Sequence, residues 1–471
     1  MLAILTYYGV CSGCCALASP TPKPLATISV AMYKTPYAQR RARLLEKMQR
    51  GIAIIPTAPE VLRNADTHYS YRYDSNFYYL SGFTEPEAVL VLIAGDQPQS
   101  ILFCREKNPE REIWDGHRFG PDAAQEQFGF DAAYSIALLD EKLTELLGNQ
   151  PALFYPLGAD AAWDQRILKL RSTVQEKIRS GIRAPDEILD VRALLNEMRL
   201  FKDAHELDIM RRAAAISTSA HRRAMQFTRP GQFEYQVEAE LLHEFCRHGA
   251  RHPAYTSIVA GGANACVLHY VGNDAKLNDG DLLLIDAGCE LGGYASDITR
   301  TFPINGKFSA AQKDVYQIVL AAQAAAIASA KPKQTWIAPH NAALRVLAQG
   351  FIDLKLCHGS VDAVLESESY KKFYMHRTGH WLGMDVHDVG DYKIGDSANK
   401  NESNWRALQP GMVLTVEPGC YIRPADDVPQ ALWNIGIRIE DDVAITAKGN
   451  EVLTDAAPKT VADIEELMRK S

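Results

Sequence analysis

Short apolar runs and helical repeats alternate along the first 200 residues. Tyr37 to Arg50 is basic and amphipathic, and Gly51 follows it as a helix stop. Three apolar runs predict buried strands, at Ile52 to Ile55, Ala88 to Ile93 and Ile101 to Cys104. Helical patterns follow at Asp140 to Leu147 and Ala161 to Leu170. This mixture predicts a small α/β domain over residues 32–200.

Longer helical patterns begin between Arg192 and Glu206, where we place the domain junction. The apolar helical spacing continues until Pro230-Gly231 breaks it, and Val237 to Phe245 forms the apolar face of a second helix. Ser309 and Gln312 form a capping box ahead of a further helix. Helix pairs that alternate with antiparallel hairpins predict an α+β domain over residues 201–471.

One predicted hairpin carries two aspartates. Leu282 to Ile285 is an apolar run that delivers Asp286 at the buried end of a strand. Gly292-Gly293 suits a turn, and the β-branched and aromatic stretch Ala295 to Phe302 delivers Asp297 on the second strand. The two carboxylates are predicted to face each other. Burying an unpaired carboxylate costs several kcal/mol, which favours a bound cation, although ordinary capping and ion pairing would also account for two aspartates.

Two glutamates occupy similar positions late in the chain. Met412 to Gly419 is a strand pattern that places Glu417 at the end of an apolar strand. Gly436 to Glu440 alternates strictly, so Arg438 and Glu440 share a face. Four half-buried acids would repel one another and stay partly protonated, and a divalent cation resolves that conflict.

Three of the thirteen histidines, His376, His380 and His387, lie close together. His376 and His380 have the spacing of a zincin helix, but Arg377 stands where that motif needs glutamate and Gly379 disfavours a helix. Carboxylates with one imidazole favour Mn²⁺, Mg²⁺ or Fe²⁺ over a thiolate-type zinc site, with Zn²⁺ and Co²⁺ left open. Five such ligands are enough for two ions about 3.5 to 4 Å apart.

Composition narrows the class of protein. A chain of 471 residues is expected to form two domains. A net charge of −8 without a basic stripe argues against a nucleic-acid partner. No stretch reaches the roughly eighteen apolar residues of a membrane span.

The nine cysteines are expected to be reduced thiols of a cytoplasmic protein, because the only C-x-x-C, Cys11 to Cys14, has no second pair. We expect residues 1–31 to be a disordered or non-native extension ahead of Met32, since they lack the positive charge and long apolar core of a secretory signal. A cleaved or lipid-attached leader is the alternative.

The motifs together carry a family resemblance. They are DAG(x)8D with ITRTF, MHRTGHWLG with His387, TVEPG and GIRIED. This set resembles the pita-bread metallopeptidases, the group of methionine aminopeptidase, prolidase and aminopeptidase P. Within the group, NFYYLSGFTEPEAVLVL, EIWDGHRFG, HEFCRHGARHPAY and LHY look most like bacterial aminopeptidase P. The resemblance implies a pita-bread catalytic domain after a smaller N-terminal α/β domain that serves substrate access and oligomerisation.

The resemblance also implies the site and its chemistry. The metal ligands would be Asp286, Asp297, His380, Glu417 and Glu440, holding two divalent ions, with Mn²⁺ expected. A hydroxide bridging the ions would remove the N-terminal residue from peptides with proline second, with Glu417 passing on its proton. The remaining catalytic and substrate-binding roles would belong to His269, His376, His387, Arg438, Trp114 and Tyr421, where His376 lines the proline pocket and Arg438 orients Glu440. Trp114, Tyr421 and His269 could instead be ordinary core residues.

Three other functions stay open at this point. A prolidase, which takes Xaa-Pro dipeptides, has the same metal ligands. A creatinase-like enzyme shares the fold but would not need all five ligands, and the same set speaks against a nonenzymatic binding protein. The expected partners are proline-containing peptides and further copies of the chain, as a homodimer or homotetramer, with no nucleic acid and no membrane.

Overall fold

The computed structural model describes residues 30–395 and 404–470. Most of the predicted extension, residues 1–29, lies outside this range, while residues 30 and 31 begin the first helix. Within the described residues, no helix has the length and apolar content needed to span a bilayer. The six cysteines described there are unpaired.

The N-terminal part is built around one six-stranded mixed sheet. Its helices are α1 (Val30–Met48), α2 (Ser75–Ser81), α3 (Pro109–Asp115), α4 (Gly120–Phe128), α5 (Leu139–Leu146), α6 (Ala161–Gln175) and α7 (Arg192–Leu200). Its strands are β1 (Gly51–Pro56), β2 (Leu62–Asn64), β3 (Thr67–His68), β4 (Val89–Ala94), β5 (Gln99–Cys104), β6 (Ala132–Ser135), β7 (Ala152–Phe154) and β8 (Glu187–Leu189). The sheet order is β6-β5-β4-β1-β7-β8, and β2 pairs with β3 separately. The three apolar runs predicted as strands are β1, β4 and β5, which confirms those predictions.

The C-terminal part combines long helices with small antiparallel sheets. Its helices are α8 (Ala204–Phe227), α9 (Glu234–Arg247), α10 (Ala310–Ser329), α11 (Ala338–Asp353), α12 (Val361–Glu366) and α13 (Val461–Arg469). Its strands are β9 (His252–Pro253), β10 (Ile258–Gly261), β11 (Leu282–Asp286), β12 (Cys289–Leu291), β13 (Tyr294–Ala295), β14 (Thr299–Pro303), β15 (Val413–Val416), β16 (Gly419–Ile422), β17 (Ile435–Arg438), β18 (Asp441–Thr446) and β19 (Gly449–Val452). The capping box predicted at Ser309 and Gln312 is confirmed, because each side chain accepts a bond from the other residue's backbone N–H.

The sheets of this part bring the acidic strand ends together. They have the orders β10-β11-β14, β13-β12-β9, β15-β18-β19 and β16-β17, and every pairing is antiparallel. β11 is fully buried, and its neighbours on both sides are also largely buried. The carboxylates at the ends of these strands are therefore held at the edge of a tightly packed core.

The predicted hairpin from Asp286 to Asp297 is present, with an interruption in its middle. Asp286 pairs with Thr299, and Glu290 pairs with Ala295. The two pairs share one register, so Gly288 lies opposite Asp297. A Cβ added at Gly288 would overlap the carbonyl oxygen of Ser296, so only glycine fits at this crossing. Both aspartates consequently lie on the same face.

Candidate metal centre

Asp286 and Asp297 meet at a tyrosine that the sequence analysis did not single out. The hydroxyl of Tyr255 lies 2.6 Å from Oδ1 of Asp286 and also contacts Oδ1 of Asp297. Burial, followed by the charges of the two aspartates, raises the pKa of Tyr255 well above its usual value. The phenol thus stays protonated and ties the two strands together at their carboxylates.

Glu440 is fixed by β14 through two hydrogen bonds. Its backbone N–H donates to the carbonyl oxygen of Thr299 over 3.1 Å, and the hydroxyl of Thr299 donates to its Oε2 over 2.6 Å. Glu417 follows β15 directly, and its backbone N–H donates to the carbonyl oxygen of Thr378 over 2.9 Å. The backbone of each glutamate is therefore fixed, that of Glu440 by β14 and that of Glu417 by the segment that contains Thr378.

His380 is held so that one ring nitrogen faces the acids. Its Nδ1 lies 3.0 Å from the carbonyl oxygen of Trp381, and Nδ1–H donating there leaves Nε2 as the inward atom. Nε2 lies 3.4 Å from Oδ2 of Asp297 and 3.8 Å from Oε1 of Glu417. Ligand atoms of Asp297, His380 and Glu440 all lie within 4.8 Å of one another.

Burial and the charges of neighbouring groups shift the pKa values of these residues. Burial and then the nearby carboxylates raise the pKa of Glu440 well above its usual value, and burial raises the pKa of Glu417 to about 7. Burial also raises the pKa of Asp286. Burial alone would lower the pKa of His380, but its hydrogen bond to Asp297 and the carboxylate charges raise that pKa to about 9. Burial acts to raise the pKa of Asp297 as well, and the bond and charge of His380 outweigh it and lower that pKa.

This donor set fits divalent metal ions. A cation bound at Nε2 of His380 would replace the proton that the acids now hold there, and it would offset the repulsion between the carboxylates. Four carboxylates and one imidazole are the ligands that hard or borderline divalent cations prefer. The oxygens of Asp286 and Glu417 line the same cavity as the three clustered ligands.

Arg438 makes different contacts from those expected. It was predicted to orient Glu440, whereas its guanidinium donates to Oδ2 of Asp286 over 2.6 Å. Its Nε donates to the hydroxyl of Thr299 over 3.0 Å, and that hydroxyl in turn bonds Glu440. Arg438 therefore neutralises Asp286 directly and reaches Glu440 through Thr299. The strand alternation placed Arg438 on the correct face but could not say which strand that face meets.

Three of the predicted histidines surround the metal ligands. His269, His376 and His387 line a cavity of about 410 Å³ together with all five predicted ligands and Arg438. The ring of His387 lies 4.3 Å, centroid to centroid, from that of His380. Burial lowers the pKa of His376 to about 3, so this imidazole is neutral at physiological pH.

Two aromatic residues lie elsewhere than predicted. Tyr421 is buried behind the cavity wall, where its hydroxyl lies 2.8 Å from Nε2 of His376 and accepts from Arg438 over 3.0 Å. It supports the site and does not line it. Trp114 lies on α3 with 83% of its surface exposed, so it neither lines this cavity nor belongs to the core. A seven-residue helix carries too little periodicity to show which of its faces is covered.

A buried ion network next to the site was also missed. Asp388 accepts from Nη2 of Arg199 over 2.6 Å and from Nζ of Lys202 over 2.9 Å. Arg199 also donates to Asp385 over 2.7 Å and to Asn76 over 2.8 Å. The network joins α2 and α7 to the loop that carries His387. Sequence patterns did not predict this network because its acidic and basic members lie 186 or 189 positions apart. The charged residues around Asp385 and Asp388 were the only sign of it in the sequence.

Comparison with known proteins agrees with this geometry. Residues 208–447 match the model of Metallopeptidase family M24, and residues 37–155 match the aminopeptidase P N-terminal domain. The chain belongs to metallopeptidase family M24. Its catalytic part therefore has the predicted pita-bread fold beside a smaller α/β domain, and M24 membership implies divalent metal ions.

Individual relatives cover nearly the whole chain. The Xaa-Pro aminopeptidase of Escherichia coli K12 is 45% identical over 435 residues, which are 92% of this chain and 97% of the relative. The solved structure of Pseudomonas aeruginosa aminopeptidase PepP is 50% identical with a TM-score of 0.90, over 93% of this chain and 99% of that one. The human Xaa-Pro dipeptidase is 32% identical over 471 residues, which are 92% of this chain and 93% of the relative. This M24 protein is thus more similar to these two bacterial aminopeptidases than to the human dipeptidase.

Proposed function

We propose that this chain is a metal-dependent Xaa-Pro aminopeptidase that releases the N-terminal residue from peptides with proline second. The observation that carries the proposal is the meeting of Asp286, Asp297, His380, Glu417 and Glu440 at one cavity in an M24 fold. The relatives with the higher identity act, by their names, on Xaa-Pro peptides. The 45% identity to those aminopeptidases, against 32% to the dipeptidase, favours this activity over prolidase.

The five ligands would hold two divalent ions, which we propose to be Mn²⁺. When bound, the ions supply Lewis acidity to the scissile carbonyl and to the attacking water. The protein contributes by fixing the ligand positions. Tyr255 holds Asp286 and Asp297, and Thr299 holds Glu440, so the carboxylates need not reorganise during the reaction.

Glu417 is the proposed proton carrier. Its carboxylate lines the cavity beside His380 and Asp297. A carboxylate in that position can take a proton from the attacking water and return it to the leaving nitrogen. The nitrogen of the scissile bond must receive that proton before it can leave, here as the secondary amine of proline.

The three cavity histidines would position the peptide. All three line the cavity, where His387 and His269 would bind the carbonyl and the peptide backbone and His376 would line the proline pocket. His376 is neutral and is backed by the hydroxyl of Tyr421, which favours contact with an apolar ring over binding of an anion. Arg438 lines the same cavity and would hold Asp286 in place.

Hydrolysis of a tripeptide Xaa-Pro-Xaa by metal-stripped enzyme, with and without added Mn²⁺, tests the proposal. Mn²⁺-dependent release of the first amino acid is expected. Cleavage of an Xaa-Pro dipeptide with no cleavage of the tripeptide would assign the enzyme as a prolidase. Failure with both substrates and with every divalent ion would refute a peptidase function.

We further propose that the chain acts in the cytoplasm as a homodimer or homotetramer, with residues 32–200 serving substrate access and assembly. The exposed apolar pair Ile113 and Trp114, at 81% and 83%, supports a contact surface on that domain. Light scattering after size-exclusion chromatography tests the assembly. A monomer at micromolar concentration would refute it.

A further inference from the structure

A second cavity lies beside the catalytic one. Its volume is about 1180 Å³, and His376 and Arg377 line both cavities. The second cavity runs along α11 and the segment before His376, and Lys393 and Trp405 also line it. A peptide whose proline contacts His376 would therefore continue past Arg377 into this space.

Most of the charged residues that line the second cavity are basic. Its charged lining residues within the described chain are Arg345, Lys371, Arg377, Lys393 and Glu368. Arg345 is paired with Asp362 over 3.0 Å and Lys371 with Glu368 over 2.5 Å. In residues 30–395 and 404–470, Arg377 and Lys393 form no ion pair.

One aromatic ring contacts both Arg377 and Lys393. The guanidinium carbon of Arg377 lies 5.6 Å from the ring centroid of Trp405, and Nζ of Lys393 lies 4.5 Å from it. Lys393 and Trp405 also pair through their backbones in an isolated antiparallel bridge. Contact with the indole face restrains both side chains, so their charges are concentrated at one place before any ligand binds.

We propose that Arg377 and Lys393 bind a carboxylate of the peptide segment that follows proline. This inference rests on the proposed function and names a substrate class, peptides of three or more residues with negative charge after the proline. Two sources share this chemistry, an acidic side chain and the terminal carboxylate of a short peptide. His376 lines both cavities and so lies between the anion site and the metal ligands, which matches a substrate with proline followed by a charged group.

Peptide pairs that differ only in charge provide the test. The metal-loaded full chain is given Ala-Pro-Glu-Ala amide and Ala-Pro-Gln-Ala amide, and Ala-Pro-Ala as free acid and as amide. We expect kcat/KM to favour the charged member of at least one pair by about 5-fold, mainly through KM, since about 1 kcal/mol is typical of an exposed ion pair. The preference should fall as salt is raised.

Arg377→Gln and Lys393→Gln should each reduce this preference, and the double variant should bring it close to one. Both side chains are exposed, so glutamine should not disturb folding. Lys307→Gln is the control, because Lys307 is exposed and lines neither cavity. A charge preference absent from the parent, or retained in the double variant, would overturn the proposal.

Binding of the products separates this inference from the proposed function. Calorimetric titration with Pro-Glu-Ala amide and Pro-Gln-Ala amide requires no turnover. If no peptide is cleaved, the proposed function fails, while tighter binding of the Glu product that is lost in the double variant would still support the anion site. Equal binding of both products would refute it, provided the free acid of Pro-Ala also shows no advantage over its amide.

Discussion

Replacement of Asp388 by asparagine should destabilise the enzyme strongly, although Asp388 binds neither metal nor substrate. The carboxylate is buried and is shared by Arg199 and Lys202 over 2.6 and 2.9 Å. Both cations are themselves almost completely buried. Asparagine keeps the size of the side chain but removes the charge that both cations require.

The expected cost follows from the burial of the network. Removing one partner of a buried ion pair costs about 3 to 5 kcal/mol, because the other partner is left without compensation. Arg199 retains Asp385 at 2.7 Å, and Lys202 loses its only ion-pair partner within the described residues. For a unit of more than 200 residues, about 2 °C of Tm corresponds to 1 kcal/mol, so we expect a drop of about 6 to 10 °C.

Thermal unfolding of the metal-free protein measures this drop without interference from metal binding. Asp391→Asn is the matched control, because Asp391 follows on the same loop, is exposed and takes part in no ion pair within the described residues. We expect a change below about 1 °C for the control. A shift in Asp388→Asn as small as that of the control would refute the view that this network holds the loop.

The stability that Asp388 contributes should also depend on pH, and the direction of its pKa shift gives the sign of that dependence. Burial acts to raise the pKa of Asp388, but the charges of Lys202 and Arg199 outweigh it and lower that pKa. A lowered folded-state pKa contributes stability that is complete above the unfolded pKa of about 3.9 and is lost as pH falls below it. The difference in Tm between parent and Asp388→Asn should therefore be constant at neutral pH and should narrow below about pH 4.

Three further predictions concern the metal centre. Thr299→Val should weaken metal binding about 10- to 100-fold in calorimetric titration, because it removes the hydroxyl that bonds Glu440. Thr301→Val is its control on the same face of β14, since the hydroxyl of Thr301 donates to a backbone carbonyl oxygen and not to a ligand; equal losses in both variants would contradict the assigned role. Glu417→Ala should abolish turnover with little loss of folding by circular dichroism, and unchanged turnover would remove Glu417 from the mechanism. Adding Mn²⁺ to chelated enzyme at 100 times Kd should stabilise it by about 2.7 kcal/mol, and a Tm indifferent to every divalent ion would argue against a metal centre in the folded chain.

The sequence by itself determined the elements and which of their faces are buried. Strand periodicity put Asp286 and Glu417 at the ends of apolar strands and put Asp297 and Glu440 on half-buried strands. The structure places all four in one cavity. The capping box at Ser309 likewise follows from local chemistry, since its bonds join residues three apart. Local rules succeed here because both partners of each interaction lie in the same element or at its end.

Only the tertiary structure decided which elements meet. Tyr255 contacts both Asp286 and Asp297, and Arg438 donates to Asp286 across 152 positions of the chain. Asp388 accepts from two cations that lie 186 and 189 positions away. Periodicity predicts that a side chain faces inward, but which residue it contacts depends on how separate elements pack. Trp114 shows the same limit, because a short helix can expose a large aromatic residue that composition alone would bury. The ligand types were thus readable from the chain, whereas the hydrogen bonds that hold them depend on contacts between residues far apart in sequence.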